Sequence, residues 1–191
     1  MTEEILLFPE FYSSINTATK ESGFTMASDP LTGSLLRTLA VSKPGGKFLE
    51  LGTGTGLSTA WILDGMNEAS SLISVDNDEQ FLDIAKNALK DEKRLQLVLS
   101  DAGQWLEDNQ RLLFDYIFAD TWHGKYLMLD TALKMLNAGG LYIIDDMLPQ
   151  PNWPEGHQQK AIDLIMALEN RNDIVLTRLA WSTGIIIAVK K

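Results

Sequence analysis

Short apolar segments alternate with amphipathic ones over most of this chain, and the alternation predicts strands separated by helices. Strands joined in this way form right-handed βαβ units and a mostly parallel sheet. The predicted strands are Lys47–Leu51, Ser71–Asp76, Leu95–Ser100, Phe114–Ala119 and Leu141–Ile144. The predicted helices between them are residues 56–66, residues 78–90, a short segment through Trp105, and a segment marked by Tyr126, Leu129, Leu133 and Leu136 that Gly139-Gly140 would stop.

The two ends of the chain differ from this alternation. Helices are predicted over roughly residues 3–20 and from Pro30 onward, so that about residues 1–43 precede the sheet. At the other end, Ile174–Leu179 and Ile185–Val189 are too close in sequence for a parallel crossover, so they predict an antiparallel hairpin. The pattern predicts one α/β domain over residues 1–191, with a doubly wound, mostly parallel seven-stranded sheet and a C-terminal antiparallel hairpin.

Composition and charge narrow the function. Of the 191 residues 45% are hydrophobic and 22% charged, which is ordinary for a globular protein. A net charge of −10 disfavours non-specific binding to nucleic acid. There is no cysteine, no basic signal-like N-terminus and no apolar run of the roughly 20 residues that cross a bilayer. We therefore expect a cytoplasmic protein without a membrane partner.

Carboxylates follow the predicted strands at the point where each strand ends. The carboxyl ends of parallel strands share one edge of a sheet, and ligands bind there. Each aspartate could instead cap the following helix, and for Asp101 the two interpretations are equally weighted. A cap is a weaker explanation for Asp145-Asp146, because a Pro-rich loop follows, and a cationic ligand or a metal would offset their repulsion. The acidic residues of this edge are Glu50, Asp76, Asp101, Asp120, Asp145 and Asp146.

A glycine-rich loop follows the first strand, at Gly52, Gly54 and Gly56. Glycines let the backbone approach a ligand, and the next helix offers free N–H groups to a carboxylate or phosphate. Two ligand classes use such a loop: nicotinamide dinucleotides and S-adenosylmethionine (SAM). The spacing G-x-G-x-G lacks the third glycine of the dinucleotide motif, where Leu57 stands. Together with the closing hairpin and the acidic edge, this favours SAM.

Over residues 22–190 the chain resembles the class I SAM-dependent methyltransferases, and more narrowly the catechol O-methyltransferase-like (family 3) O-methyltransferases. The segment FLELGTGTGLST, residues 48–59, is similar to the SAM loop of that family. The resemblance implies contacts with each part of SAM, and we expect Asp120 to contact the cofactor as well. It places Glu50, Gly52 and Ser58 near the methionine part, Asp76 on the ribose, Asp101 and Ala102 beside the adenine, and Met26 near the methyl group.

The segment DTWHGKY, residues 120–126, is similar to the catalytic stretch of the same family. The resemblance implies a divalent metal, Mg²⁺ or another cation, held by Asp120, Asp145 and Asp146. Two positions depart from the family pattern: His123 stands where the catalytic lysine is expected, with Lys125 two residues later, and Asp146 stands in place of an asparagine. We therefore predict that His123 replaces the lysine as the general base, with Lys125, or the metal alone, as the competing candidate.

Aromatic residues near these motifs suggest an acceptor pocket. Trp122 and Trp153 could be its walls or ordinary packing residues, and Trp153 lies in a stiff Pro-rich loop that could act as a lid. His157 is the only other histidine and is more often structural in such a setting.

The leading hypothesis is methyl transfer from SAM to a hydroxyl of a small, aromatic acceptor. Alternatives are a SAM-dependent enzyme acting on a nucleic-acid base such as one in tRNA, a nicotinamide-dependent oxidoreductase, and a non-catalytic SAM-binding regulator. A homodimer is left open by the sequence.

Overall fold

The structure is a computed structural model that describes residues 7–151 and 153–191. Strands and helices alternate along the chain as the apolar pattern predicts. The strands are β1 (Lys47–Leu51), β2 (Ser71–Asp76), β3 (Leu95–Leu99), β4 (Phe114–Ala119), β5 (Leu136–Ile144), β6 (Ile174–Leu179) and β7 (Ile185–Lys190). The helices are α1 (Tyr12–Ser22), α2 (Pro30–Val41), α3 (Leu57–Gly65), α4 (Glu79–Ala88), α5 (Ala102–Asp108), α6 (Leu129–Lys134) and α7 (His157–Glu169).

The strands form one seven-stranded sheet in the order β3-β2-β1-β4-β5-β7-β6. The pairs from β3 to β5 are parallel, while β7 runs antiparallel to both β5 and β6. This confirms the predicted fold class, including the closing hairpin. The direction of strand addition reverses between β1 and β4, and a crevice opens at the carboxyl ends of those strands.

Apolar side chains fill both faces of the sheet and form two core clusters. Helix α3 belongs to one of them, and eight of its nine residues are buried, because α1 and α2 cover it. The start of α3, which follows the glycine loop, is therefore held rigidly. In the part of the chain that is described, no helix has both the length and the apolar character required to cross a bilayer.

The first helix begins later than the sequence pattern predicts. The predicted segment started near residue 3, whereas α1 begins at Tyr12 and residues 7–11 are not helical. Pro9 explains the difference, because the residue before a proline is disfavoured in helical conformation. Residues 3–6 of the predicted segment lie outside the described residues.

Strand β5 also begins earlier than predicted. Leu136 was assigned to a helix that Gly139-Gly140 would end, but it pairs with Phe114 of β4 as the first residue of the strand. The register shifts between Phe114 and Tyr116, and Gly139 has a φ of 76°. The glycines thus accommodate an irregularity within the strand instead of stopping a helix.

Candidate active site

A large cavity lies at the carboxyl edge of the sheet. Its volume is about 1230 Å³, and its walls come from the strand ends, the segment between α1 and α2, and the loop before α7. Pockets for single drug-sized ligands usually measure roughly 300–1,000 Å³. The cavity therefore has room for two small molecules side by side.

The glycine loop forms one wall of this cavity. Gly52 has a φ of 103°, and a side chain there would lie 2.8 Å from the backbone oxygen of Asp120. The N–H of Gly54 donates to Oδ2 of Asp76 at 2.7 Å, and a side chain at Gly54 would meet the ring of Phe24 at 2.9 Å. These contacts require glycine and hold the loop against the ends of β2 and β4.

Glu50 lies behind the glycine loop and does not line the cavity. Its Oε2 accepts hydrogen bonds from the hydroxyls of Thr59 and Ser74, both at 2.5 Å, while Oε1 has no partner among the described residues. Burial raises the pKa of Glu50 from near 4.5 to about 7. In this structure Glu50 joins α3 to β2 below the loop, and its expected contact with a cofactor stays a prediction.

Two aspartates from neighbouring strands face the cavity beside the loop. Asp76 accepts hydrogen bonds from the N–H groups of Gly54 and Asp78, and each carboxylate oxygen keeps a second acceptor position. Asp101 caps α5 through the N–H of Gln104, so the helix-cap interpretation is confirmed. Asp101 also lines the cavity, together with Ala102.

The segment between α1 and α2 crosses the cavity near the glycine loop. Phe24 packs on Phe81 of α4 with ring centres 4.6 Å apart, and Ser28 donates to Oδ2 of Asp120 at 3.1 Å. Met26 lines the cavity and is 70% exposed, and its expected place near the SAM methyl group stays a prediction. Sequence reasoning missed Phe24, Phe81 and Ser28, because no motif indicates which residues of distant segments meet.

The ends of β4 and β5 form an acidic corner, consisting of Asp120, Asp145 and Asp146. Burial, and then the charge of Asp145, raises the pKa of Asp120 well above its usual range. Burial likewise raises the pKa of Asp145 to about 6, although its Oδ1 accepts hydrogen bonds from the Thr183 hydroxyl and the Asp146 N–H. The positive charge of Lys125 opposes both shifts.

The acidic corner does not fit a divalent metal in this arrangement. In residues 7–151 and 153–191 no three acidic or histidine side chains are placed so that they could share one ion. One oxygen of Asp145 already accepts two hydrogen bonds, and one oxygen of Asp120 accepts the Ser28 hydroxyl. The ammonium group of Lys125 lies near both carboxylates instead.

The two candidate bases lie in different parts of the cavity wall. His123 faces the start of α5: its Nδ1 is 3.8 Å from Oδ2 of Asp101, and its ring is within 2.8 Å of a side chain built at Gly103. Lys125 is only 5% exposed and lies near Asp120 and Asp145. Among the described residues Lys125 has no hydrogen bond or ion pair, and its Nζ is 5.2 Å from the ring centre of Tyr126.

Aromatic rings surround the end of the cavity that contains Lys125. His157 lies 5.3 Å from the Tyr126 ring and 4.5 Å from the Trp153 ring, and its Nε2 is 3.1 Å from the Tyr126 hydroxyl. The Trp122 ring is tilted by 58° against the Tyr126 ring, with ring centres 5.4 Å apart. The structure therefore places both tryptophans in the cavity wall and adds His157, which sequence reasoning ranked low because a single histidine carries little information.

The structure brings most of the predicted site residues to one cavity. Gly56 and Glu50 are the predicted members that do not line it; Gly56 precedes α3 with a φ of 93° and packs against Ala85. The predicted residues that line it are Met26, Gly52, Gly54, Ser58, Asp76, Asp101, Ala102, Asp120, His123, Lys125, Asp145 and Asp146.

Comparison with known proteins shows what this arrangement is similar to. A family model described as a methyltransferase domain matches residues 49–147. The O-methyltransferase hkm8 of Aspergillus hancockii is 30% identical over 129 residues, covering 63% of this chain and 50% of that protein. This chain spans about half the length of the curated relatives it matches.

Solved structures resemble the whole chain. An O-methyltransferase from Bacillus cereus in complex with S-adenosylhomocysteine (SAH) superposes with a TM-score of 0.83 at 20% identity, covering 98% of this chain and 93% of that one. The O-methyltransferase TomG of Streptomyces achromogenes, involved in tomaymycin synthesis and bound to SAM, gives 0.83 at 20% identity, covering 98% and 92%. At this level of identity the likeness establishes the fold.

Proposed function

This chain belongs to the family of methyltransferase domains, and from that premise we propose that it transfers the methyl group of SAM to a hydroxyl of a small aromatic acceptor. One observation carries the proposal. A single cavity contains the glycine loop with Asp76 on one side and the unpaired, buried Lys125 on the other. Such a cavity can hold a methyl donor and an acceptor against each other, which is the main requirement of the reaction.

The side of the glycine loop supplies the groups that SAM needs. Free acceptor positions on Asp76 suit two ribose hydroxyls, and the buried N-terminus of α3, with the Ser58 hydroxyl, suits the methionine carboxylate. Asp101 and Ala102 lie on the adenine side of the cavity in this proposal. The Phe24 ring, packed on Phe81, covers the loop and limits access of water.

The opposite side supplies the groups that an acceptor needs. Tyr126 and Trp153 offer flat apolar faces to an aromatic ring. We assign to Lys125 the stabilisation of the acceptor oxygen, because its Nζ has no hydrogen bond or ion pair among the described residues and its positive charge lies near the acidic corner. The acceptor oxygen forms a bond to the methyl carbon while the sulfur–methyl bond breaks, sulfur keeps that electron pair to give SAH, and the hydroxyl proton passes to a carboxylate of the acidic corner.

His123 and a divalent metal are not used in this mechanism. His123 contacts the start of α5 on the cofactor side, away from the acidic corner. The carboxylates of Asp120, Asp145 and Asp146 do not fit an ion as they are arranged. The expected metal, held by these three residues, therefore stays a prediction from the family resemblance that our mechanism does not require.

The proposal is tested by a methyl-transfer screen. The protein is incubated with SAM and a panel of catechols and other phenols, with tRNA as a separate substrate, and mass spectrometry detects methylated product and SAH. We expect equal amounts of SAH and O-methylated phenol. If the protein binds SAM but forms neither product with any phenol, the proposed reaction is wrong. Methylated tRNA would show that the acceptor is a nucleic acid instead of a phenol.

A further inference from the structure

Lys125 lies in a tight turn that follows β4 at the end of the sheet. Within residues 122–127, which we call the lysine turn, the N–H of Gly124 donates to the carbonyl of Leu127 at 2.7 Å. Two further N–H groups of the turn donate to the carbonyl of Trp122, both at 2.9 Å. Because these backbone hydrogen bonds are internal to the turn, they fix its shape but not its position on the sheet.

Gly124 is the residue through which the lysine turn contacts the sheet. Its φ is 85°, and a side chain there would lie 2.5 Å from Cδ1 of Leu51 in β1 and 3.2 Å from the hydroxyl of Tyr142 in β5. Leu51 and Tyr142 are both fully buried. Glycine is therefore required at this position, both for the left-handed backbone and for the close approach to the two strands.

In the part of the chain that the structure describes, one hydrogen bond joins the backbone of the lysine turn to the sheet. The hydroxyl of Tyr142 donates to the carbonyl of Gly124. Tyr142 pairs with Ile117 of β4 and Ala188 of β7, so the strands on both sides hold the donor in place. Burial raises the pKa of the Tyr142 phenol far above its ordinary value, so the hydroxyl stays a neutral donor.

The carbonyl that Tyr142 holds belongs to the peptide group that joins Gly124 to Lys125. A peptide group is planar, so fixing this oxygen fixes the direction in which the chain enters Lys125. The Lys125 side chain is only 5% exposed, lies near the acidic corner and has no hydrogen bond or ion pair among the described residues. The position of its ammonium group therefore depends on packing and on the backbone that carries it.

We propose that Tyr142 is a positioning residue for methyl transfer: its hydroxyl holds the peptide group before Lys125 and thereby sets the position of the ammonium group at the acceptor oxygen. This inference rests on the proposed function, in which Lys125 stabilises that oxygen. Tyr142 does not line the cavity, so it acts through Lys125 and not by contact with either reactant. Its removal should change the rate of the reaction and leave the binding of SAM unchanged.

The test compares Tyr142→Phe with Tyr116→Phe. Tyr116 is the matched control, because it is equally buried and its hydroxyl also donates to a backbone carbonyl, that of Leu36 at 3.2 Å, within the other core cluster. Each variant loses one buried hydrogen bond, so both should lower Tm by about 2–4 °C. With the best phenol of the methyl-transfer screen, Tyr142→Phe should lower kcat by about tenfold at an unchanged dissociation constant for SAM, and Tyr116→Phe should change neither.

A double variant shows whether Tyr142 acts through Lys125. In the Lys125→Met background, Tyr142→Phe should cause no further loss of kcat, because the ammonium group that it positions is absent. An equal loss of kcat in both backgrounds, or a wild-type kcat in Tyr142→Phe, would overturn the inference.

A chemical measurement on the same proteins does not depend on turnover. N-Hydroxysuccinimidyl acetate modifies accessible amines, and mass spectrometry of the digested protein gives the rate of acetylation at each lysine. Lys125 should be acetylated several times faster in Tyr142→Phe than in the wild type or in Tyr116→Phe, whereas the exposed Lys86 of α4 should react equally in all three. An unchanged rate at Lys125 would overturn the inference. A faster rate in a protein that methylates no phenol would instead contradict only the proposed function.

Discussion

The two halves of the main cavity are built differently. In the half with the glycine loop, the polar groups of Asp76, Gly54 and Asp101 hydrogen-bond within the protein, largely to backbone N–H groups. In the half with the aromatic rings, Lys125 and Nδ1 of His157 have no partner among the described residues. Buried polar groups without partners are costly. Lys125 and His157 line the cavity, where a second ligand would supply the missing contacts, whereas the unpartnered Oε1 of Glu50 lies below the glycine loop.

This difference explains why the halves are not equally informative about function. A loop whose backbone must approach a ligand requires glycines at fixed spacing, and that spacing can be recognised in the sequence. The aromatic half is assembled from the segments after β4 and β5 and from α7, and its chemistry depends on which way each side chain points. The half with the glycine loop therefore indicates the class of cofactor. In the aromatic half, the role of each side chain must be tested by substitution.

The largest effect is expected for Lys125→Met. Removing the positive charge that stabilises the acceptor oxygen in the transition state should lower kcat by about 10²–10³-fold. The affinity for SAM should stay near that of the wild type, because Lys125 lies in the aromatic half. Steady-state kinetics with calorimetry of SAM binding checks both statements. His123→Ala is the matched comparison, and a collapse of kcat in that variant with normal turnover of Lys125→Met would move the role to His123.

Glu50 should make stability depend on pH in the cofactor half. Its folded-state pKa, about 7, exceeds its ordinary value near 4.5, so its protonation contributes stability below about pH 4.5 that is lost as pH rises through 7. The upward shift from 4.5 to about 7 corresponds to on the order of 3 kcal/mol. The free energy of unfolding, measured with urea, should therefore decrease less between pH 5 and 8 in Glu50→Gln than in the wild type. Parallel curves would contradict a raised pKa at this position.

Asp76→Ala is expected to have the next largest effect. Hydrogen bonds to a charged group contribute about 1.5–3 kcal/mol each, so SAM affinity should fall by at least about tenfold. Asp83→Ala, on the exposed surface of α4, is the control and should bind SAM normally. An unchanged dissociation constant in a folded Asp76→Ala protein would leave Asp76 as a residue that only orders the glycine loop.

The smallest effect is expected from a chelator. Because the acidic corner does not fit a divalent ion as it is arranged, turnover in excess EDTA should equal turnover in Mg²⁺. Loss of activity in EDTA with full recovery on adding Mg²⁺ would instead place an ion at Asp120, Asp145 and Asp146, as the family resemblance implies.

The sequence predicts the sheet and the acidic edge because strand ends and glycine spacing are local signals. It does not show that Leu136 begins β5, since the glycines that usually end a helix here lie within a strand. Nor does it show that Glu50 lies behind the loop or that His123 turns toward Asp101, because both depend on side-chain direction. The partnership of Phe24 with Phe81 comes from tertiary packing alone.

The proposed reaction depends most directly on which cofactor binds in the half of the cavity with the glycine loop. Calorimetric titration of the protein with SAM, SAH and NAD distinguishes the two ligand classes that use such a loop. We predict that SAM and SAH each bind at one molecule per chain, that Asp76→Ala weakens both, and that NAD gives no measurable binding. Binding of NAD with an affinity equal to or greater than that of SAM would contradict the assignment of this cavity to methyl transfer.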